Sequence, residues 1–249
     1  MISFFDCNCI IGRRSAPRPE TNLTVDEMVA AYDRAGIVQV LATHAHAKEY
    51  NPPIGNEQLS DLCADQPLVQ PCYVVQPQWT GEMPGGNALI DYLRDGGARA
   101  VRLYPKEHSY GLGERWCGPL FSTLEQAGIP VFIDLDQTDW PEIDGILTAH
   151  PRLKLVVLRV GYRNDRWLYP LLHAHQGLFL ESSNYLPHMG VEELTERFGA
   201  ERLIFGTGMP LWDIGAAVSH IMYAAISDAD RSRIAGETLR SILWHGGDV

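Results

Sequence analysis

The sequence predicts an α/β protein, a (β/α)8 TIM barrel of a single domain with an extra helix at its C-terminal end. Eight short apolar runs, rich in β-branched and aromatic residues, alternate with amphipathic helical stretches along the 249 residues. Consecutive parallel strands need a crossover helix, and about 250 residues is the usual length of a closed barrel. Because no low-complexity tract, charge run or Pro-Gly linker divides the chain, residues 1–249 are predicted to form one domain.

The predicted elements follow one another in regular alternation. The strands are predicted at residues 2–6, 38–43, 68–75, 98–104, 131–135, 153–159, 178–181 and 203–205. The helices are predicted at residues 25–35, 56–65, 87–95, 118–127, 141–149, 166–175, 192–198 and 212–225, with a final helix at 228–243. Each strand is a compact apolar run, which is typical of strands that are buried on both faces.

Local signals mark several helix ends. Thr24 followed by Glu27 predicts a capping box, and Gly36 and Gly128 stand where a helix ends in a left-handed residue. An open doubly wound sheet is the alternative fold. Its usual Gly-rich first turn is missing from residues 6–19, DCNCIIGRRSAPRP, so the closed barrel is favoured.

Composition limits the partners that the chain can have. Lys plus Arg number 20 and Asp plus Glu 31, a formal charge of −11, which argues against nucleic acid and anionic membranes. No apolar run approaches the roughly 20 residues that cross a bilayer, and the N-terminus has no basic region, so a cytoplasmic location is expected. The five cysteines form no CxxC pair and are predicted to be reduced; Cys7 and Cys9 are predicted to share one face and pack outward.

Long irregular segments predict where a site would form. Residues 12–22, 44–54, 76–86 and 105–113 each follow a predicted strand. In a (β/α)8 barrel these loops gather at the C-terminal end of the strands, where such barrels build their sites. The sequence therefore predicts a pocket at this end.

Several segments carry a resemblance to a known family. FFDCNC is similar to a first-strand motif, HPRLKLVVLRVG resembles H-P-x-L-x-x-x-x-x-H-x-G, and ERLIFGTGMP resembles R-x-x-F-G-S-D-x-P. GARAVRLYP, PLFSTLEQAGIPVFID and RIAGETLRSIL resemble further segments of the same family. The chain is identified as resembling the amidohydrolase-related family that includes the aminocarboxymuconate-semialdehyde decarboxylase-like enzymes. The resemblance implies a TIM barrel that binds one divalent metal, commonly zinc, and hydrolyses or decarboxylates small organic acids, lactones and related compounds.

Carried over position by position, the family's metal ligands are replaced. Asn8 and Ile10 stand where a D-x-H-x-H strand has two histidines, Asp134 and Arg159 replace two more, and Gly208 replaces the aspartate. A guanidinium at position 159 would repel a divalent cation. We therefore expect a divergent member in which the usual metal centre is not formed, and no cofactor.

Three strand-end residues are predicted to be catalytic. Asp134 and Arg159 end neighbouring strands, so they are predicted to form a carboxylate–guanidinium pair. That pair would either neutralise the place that the metal left, or allow Arg159 to bind a substrate carboxylate or an oxyanion. Glu181 ends the seventh strand and would act as general acid or base, or would pair with Arg159 or Arg102.

Further residues are predicted to contact a small-molecule ligand. Arg102, together with Arg159, would make the mouth of an acidic protein locally positive, and its alternative role is a structural ion pair. The full set of predicted substrate contacts is Asn8, His44, Arg102, Tyr104 and Thr207.

Three functions remain open on the sequence. The first is an enzyme that acts on, or binds, a small polar or anionic metabolite by hydrolase or lyase chemistry without the metal. The second is a catalytically inactive relative that serves as a binding or regulatory subunit. The third is a hydrolase with a relocated zinc site at His44, His46 and Asp134, because i and i+2 point the same way in extended backbone. A homodimer through residues 212–225 is also expected, with core packing as the alternative for that apolar segment.

Overall fold

Eight parallel strands form the centre of the protein in a computed structural model that describes residues 2–16 and 24–244. The strands are β1 Phe4–Ile11, β2 Ile37–His44, β3 Val69–Val74, β4 Ala100–Leu103, β5 Val131–Asp134, β6 Leu155–Leu158, β7 Leu178–Glu181 and β8 Leu203–Ile204. Each strand pairs with the next in chain order. The last strand region returns to the first, since the Cys7 amide donates to the Phe205 carbonyl at 3.0 Å and Cys9 pairs with Met209. The predicted (β/α)8 barrel is confirmed.

Helices connect the strands. They are α1 Val25–Ala35, α2 Ala45–Glu49, α3 Pro52–Asp65, α4 Asn87–Asp95, α5 Glu114–Ala127, α6 Trp140–Ala149, α7 Asp165–Ala174, α8 Gly190–Phe198, α9 Ile214–Met222, α10 Asp228–Ser232 and α11 Thr238–Ile242. Short 3-10 turns lie at Gln78–Thr80, Leu135–Gln137 and Ala200–Arg202, and a π-helical segment at Arg233–Glu237 joins α10 to α11. Helix α10, the π-helical segment and α11 together form the predicted extra C-terminal helix.

The predicted helix ends around α1 and α5 are confirmed. The Thr24 side chain accepts from the Glu27 amide while the Glu27 carboxylate accepts from the Thr24 amide, which is the predicted capping box. Gly36 and Gly128 end their helices with φ of +72° and +68°, a backbone region that a side chain disfavours. No described helix is long and apolar enough to span a membrane.

The inside of the barrel is filled by apolar side chains. We call the lower part of this filling the floor. Its residues are Phe5, Leu41, Cys72, Ala100, Phe132, Val156, Ile204, Leu239, Ile242 and Leu243. The last three come from α11 and the residue after it, so the C-terminal helix packs into the end of the barrel where the strands begin. A second, larger cluster lies between the strands and the surrounding helices.

An irregularity in β1 changes which side chains point inward. Asp6 pairs with Val40 and Cys9 with Ala42, so three residue steps on β1 match two on β2, as in a β-bulge. Cys7 therefore joins the interior cluster, whereas Cys9 faces α1, with its Sγ 3.6 Å from the sulfur of Met28. The prediction that both cysteines share a face and pack outward is wrong for Cys7. Both thiols are buried and free.

Candidate functional site

Buried polar side chains gather at the carboxyl ends of the strands and the loops that follow them, which we call the mouth. Each of these side chains is less than 4% exposed. They are Asp6, Asn8, Arg102, Asp134, Glu181 and Thr207. Their presence above the apolar floor supports the predicted location of a site, because buried polar groups need specific partners.

The centre of this group is Arg102, at 2% exposure. Its Nη2 lies 2.6 Å from Asp134 Oδ1, and its Nη1 donates to Asn8 Oδ1 at 3.1 Å. The predicted pairing of Asp134 with Arg159 is therefore wrong. Arg102 pairs with Phe132 across β4 and β5, and Asp134 lies two residues beyond Phe132, so all three side chains share the interior face.

Arg159 instead turns toward the surface of the mouth. Its φ of +59° is unusual for a residue with a side chain and redirects that side chain away from Asp134. The guanidinium pairs with Asp136 at 3.3 Å and lies over the Trp212 ring, 5.2 Å from its centroid. With 29% of its side chain exposed, Arg159 is a cation that a ligand in solution can reach.

Glu181 is fully buried beneath Arg159. Its Oε2 accepts from the Arg159 backbone amide at 3.2 Å and from Asn8 Nδ2 at 3.4 Å, and its Oε1 accepts from the Ser183 amide at 2.6 Å. Burial raises the pKa of the Glu181 carboxyl, and the hydrogen bonds of Ser183 and Arg159 oppose that rise. The predicted partnership with a guanidinium of Arg159 or Arg102 is wrong, since the Arg159 contact runs through the backbone.

Asp6 and Thr207 form a second buried network. A site role was predicted from the sequence for Thr207 but not for Asp6. Asp6 Oδ1 accepts from the amides of Asn8 and Thr207 at 2.9 and 2.8 Å, and its Oδ2 accepts from Tyr32 Oη at 2.7 Å and from Thr207 Oγ1. Burial raises the pKa of Asp6, against these hydrogen bonds. Asp6 could have been identified from the sequence, because it is a single carboxylate inside a largely apolar strand. Thr207, predicted to contact substrate, has its hydroxyl committed to Asp6.

Several buried polar atoms of the mouth have no hydrogen-bond partner among the described residues. They are Arg102 Nε, Tyr104 Oη, Asp134 Oδ2 and His108 Nδ1. Tyr104 is fully buried, with the Arg102 guanidinium 5.2 Å and Lys48 Nζ 4.9 Å from its ring centroid. An unpartnered buried polar atom costs about 1–3 kcal/mol, so a group of them indicates that a polar ligand or water belongs here.

His108 adds a hydrogen-bond acceptor that the sequence analysis did not identify. Its Nε2 lies 2.8 Å from the Lys48 carbonyl, which can only accept, so Nε2 carries the proton. Burial lowers the pKa of the ring, which favours neutral imidazole and leaves Nδ1 as a bare acceptor. The ring lies 6.2 Å from that of Tyr104, and the next residue, Ser109, has a φ of +56°. Its position in predicted loop 105–113 was the available signal.

The two closely spaced histidines do not act together. The extended backbone ends at His44, which caps α2, and His46 lies within that helix. His44 Nδ1 accepts from the His46 amide at 3.2 Å, while His46 Nδ1 pairs with Gln58 at 3.0 Å and its ring stacks on Tyr50. Burial lowers the pKa of His44. The centroids of the two rings lie 6.4 Å apart, and among residues 2–16 and 24–244 neither histidine belongs to a group of three side chains that could hold a metal.

The residues at the positions where the motif resemblance implies metal ligands do not fit a divalent cation. Ile10 lines a small, mainly apolar cavity. Gly208 has a φ of +69°, and a Cβ atom there would lie 1.9 Å from the Trp212 ring, so the indole takes the place of an aspartate side chain. The Arg102 guanidinium lies between Asn8 and Asp134. Within residues 2–16 and 24–244, no three His, Cys, Asp or Glu side chains are grouped as metal ligands.

Known proteins share this architecture. The chain resembles an uncharacterised TIM-barrel protein, Bb4693, from Bordetella bronchiseptica, with 17% identity, a TM-score of 0.77 and coverage of 97% and 98% of the two chains. It also resembles the 5-carboxyvanillate decarboxylase LigW from Sphingomonas paucimobilis, with 14% identity, a TM-score of 0.78 and coverage of 97% and 99%. The corresponding decarboxylase of Novosphingobium aromaticivorans DSM 12444, solved with manganese and 4-hydroxy-3-methoxy-5-nitrobenzoic acid, matches at 13% identity, a TM-score of 0.78 and coverage of 97% and 96%.

These structural likenesses establish the fold. A comparison with curated proteins gives no match. The sequence profile of one family, described as amidohydrolase, matches residues 20–240, which is most of the chain. The resemblance seen in the strand motifs is thereby confirmed, and the chain belongs to this amidohydrolase family.

Proposed function

We propose that the chain is a hydrolase of small organic acids that cleaves an ester, lactone or amide bond with its own side chains and without a divalent metal. The observation that carries this proposal is the set of unpartnered atoms at the mouth. Among the described residues, the acceptor Asp134 Oδ2 and the donors Arg102 Nε and Tyr104 Oη have no hydrogen-bond partner. A base beside two donors is the arrangement that hydrolysis of a carbonyl compound needs.

The proposed step uses each group once. Asp134 Oδ2 takes a proton from a water molecule as the water oxygen bonds to the substrate carbonyl carbon. The electron pair of the C=O bond moves to its oxygen, which Arg102 Nε and Tyr104 Oη stabilise. When that pair returns, the bond to the leaving oxygen or nitrogen breaks, and the leaving group takes the proton back from Asp134.

Asp134 supports this role better than Glu181 does. Both oxygens of Glu181 accept from N–H donors. Asp134 has one oxygen on Arg102, and its other oxygen has no partner in the part of the chain that the structure describes. Its paired oxygen lies 2.6 Å from Arg102 Nη2, so the guanidinium also fixes the position of the carboxylate. Glu181 is therefore assigned to positioning Asn8 and the Arg159 backbone.

Arg159 is proposed to hold the carboxylate of the substrate. Its present partner, Asp136, is 56% exposed, so an incoming carboxylate can replace it at little cost. Trp212 beneath the guanidinium offers an apolar surface beside that charge. His108 Nδ1 would accept from a hydroxyl of the ligand. A small anion, rather than nucleic acid, also suits a chain with a formal charge of −11.

Decarboxylation is the second candidate, because the solved neighbours include decarboxylases of aromatic acids. The observation in this chain that favours it is Glu181, whose pKa is raised by burial. A protonated Glu181 would donate its proton to the carbon that bears the carboxylate. The bond to that carboxylate would break, its electron pair would stay with the substrate, and CO2 would leave.

A substrate screen tests the proposal. Purified protein is incubated with lactones, esters and amides that carry a carboxylate, and in parallel with hydroxylated benzoates, in buffer with and without a chelator. We expect hydrolysis that the chelator leaves unchanged and that Asp134→Asn abolishes. Tyr104→Phe should lower kcat by about 10²-fold, the usual effect of removing one oxyanion donor.

Matched controls separate chemistry from folding. Tyr169 also has a buried hydroxyl, but it lies on α7, so Tyr169→Phe should leave turnover unchanged. CO2 release from benzoates without hydrolysis would favour the second candidate. Tight binding of these acids without any turnover would instead support an inactive binding protein.

A further inference from the structure

We propose that the guanidinium of Arg102 is a built-in replacement for the divalent cation of the family. It is a cation that the chain supplies covalently, at the place between the first and fifth strands. This inference concerns the cation itself and holds for either reaction considered above.

The contacts of Arg102 support the replacement. Asn8 and Asp134 stand at two positions where the family has metal ligands, one on β1 and one at the end of β5. One guanidinium bridges both, with Nη2 2.6 Å from Asp134 Oδ1 and Nη1 3.1 Å from Asn8 Oδ1. The side chain is only 2% exposed, so this is an interior cation and not a surface ion pair. Arg102 thus meets the same two positions that a bound metal would meet.

Electrostatics makes the guanidinium and a metal mutually exclusive. The group stays charged, because an arginine guanidinium does not lose its proton in proteins and the Asp134 carboxylate lies 2.6 Å from its Nη2. Two unit charges of like sign about 4 Å apart repel by about 4 kcal/mol at an effective dielectric constant of 20, and a divalent ion doubles that cost. A metal touching Asn8 or Asp134 would lie that close to the guanidinium.

Two further positions where the resemblance implies metal ligands, Ile10 and Gly208, also lack a side chain that could bind a metal. Trp212 fills the space above Gly208, and its ring also contacts the Arg159 guanidinium. Ile10 replaces a histidine with an apolar side chain. These changes remove ligands, whereas Arg102 restores the positive charge that the Asp134 carboxylate requires.

Chemical rescue tests the replacement. Arg102→Ala leaves a space beside Asp134, and we expect a lower Tm that guanidinium ion raises by several degrees. Urea has nearly the same shape without the charge and should not raise it. With the guanidinium gone, Mn²⁺ should bind Arg102→Ala at least about tenfold more tightly than the wild type, a difference of about 1.4 kcal/mol measured by calorimetry.

Further variants keep the test decisive. Arg102→His offers a neutral ligand beside Asp134 and should also gain Mn²⁺ affinity, while Arg102→Lys keeps a charge and should not. Adding Asp134→Asn to Arg102→Ala should remove the response to both guanidinium and Mn²⁺. Tight Mn²⁺ binding at Asn8 and Asp134 in the wild type would overturn the proposal. So would Arg102→Ala and Arg102→His variants that bind neither ion better than the wild type. All readouts are binding or Tm, so they stand apart from the failure of any substrate screen.

Discussion

The two ends of the barrel interior are built on opposite principles. At the floor, apolar side chains from the strands and from α11 fill the space without polar atoms, as Phe5 and Leu239 illustrate. At the mouth, Arg102, Tyr104 and Asp134 are equally buried, yet each keeps a polar atom without a partner in the described chain. The floor therefore contributes stability, whereas the unpartnered buried atoms of the mouth cost stability.

The largest expected effect breaks the ion pair at the mouth. Asp134→Ala leaves a buried guanidinium with an uncompensated charge, which should lower the free energy of unfolding by about 3–5 kcal/mol. The double variant Arg102→Met/Asp134→Leu removes both charges and should recover most of that loss, measured by urea unfolding. If the double variant is as unstable as Asp134→Ala, the Arg102–Asp134 pair makes a net contribution to stability. The mouth would then stabilise the fold as the floor does, which would contradict the comparison.

At the floor, the corresponding change is a truncation. Leu239→Ala should lower the free energy of unfolding by about 2–5 kcal/mol, because it leaves a cavity under the strands. It should leave the affinity for small acids at the mouth unchanged. A loss of that affinity comparable to the loss from Arg159→Ala would mean that the two ends are coupled, contrary to their separate roles.

A third prediction concerns pH. Burial raises the pKa of Glu181 above its ordinary value of 4.5, so the folded state binds this proton more tightly than the unfolded state. The resulting stabilisation is complete below pH 4.5 and is lost as pH rises through the raised pKa. A tenfold difference in proton affinity between the folded and unfolded states corresponds to about 1.4 kcal/mol. Glu181→Gln should remove this part of the pH dependence in urea unfolding.

The control for Glu181→Gln is the wild-type protein measured over the same pH range. Asp6 is shifted in the same direction and remains in both proteins, so only the difference between the two stability curves reports on Glu181. A glutamine has one acceptor oxygen in place of two, so one of the backbone amide bonds to position 181 is also lost, which lowers stability equally at every pH. Parallel curves from pH 4.5 to about pH 7 would show that the pKa of Glu181 is not raised.

The smallest effect is expected at Arg159, where backbone strain and charge can be separated. Arg159→Gly relieves the positive φ of 59°, whereas Arg159→Ala keeps it. We expect Arg159→Gly to be more stable than Arg159→Ala by about 1 kcal/mol, and both to lose affinity for benzoate. Equal stabilities in urea unfolding would exclude strain at this position, and unchanged benzoate binding would exclude Arg159 as the carboxylate contact.

The barrel followed from the sequence because its strands and helices differ strongly in pattern. Several helices begin or end at the predicted residue, such as Val25–Ala35 and Asn87–Asp95. Side-chain directions at the mouth could not be predicted in the same way. The bulge in β1 turned Cys7 inward, and the left-handed backbone at Arg159 turned its guanidinium toward Asp136. Both depend on local backbone geometry that a period of two residues does not encode.

The candidate site shows the same limit. Arg102, Asp134, Glu181 and Asn8 were all expected at the mouth and lie there, but their partners were assigned from the order of the strands alone. In the barrel, the stagger between β4 and β5 places Arg102, and not Arg159, beside Asp134. His46 was misjudged because α2 begins immediately after His44.

The indole of Trp212 above Gly208 has a consequence for the substitutions that this chain can accept. An aspartate introduced at position 208 would meet that ring at its Cβ atom and would also face an unfavourable φ of +69°. A single substitution there would therefore be harmful whatever it offered to a metal, and it becomes acceptable only after Trp212 has changed. Positions 208 and 212 are therefore coupled, and a side chain larger than glycine at position 208 requires a paired mutation of Trp212.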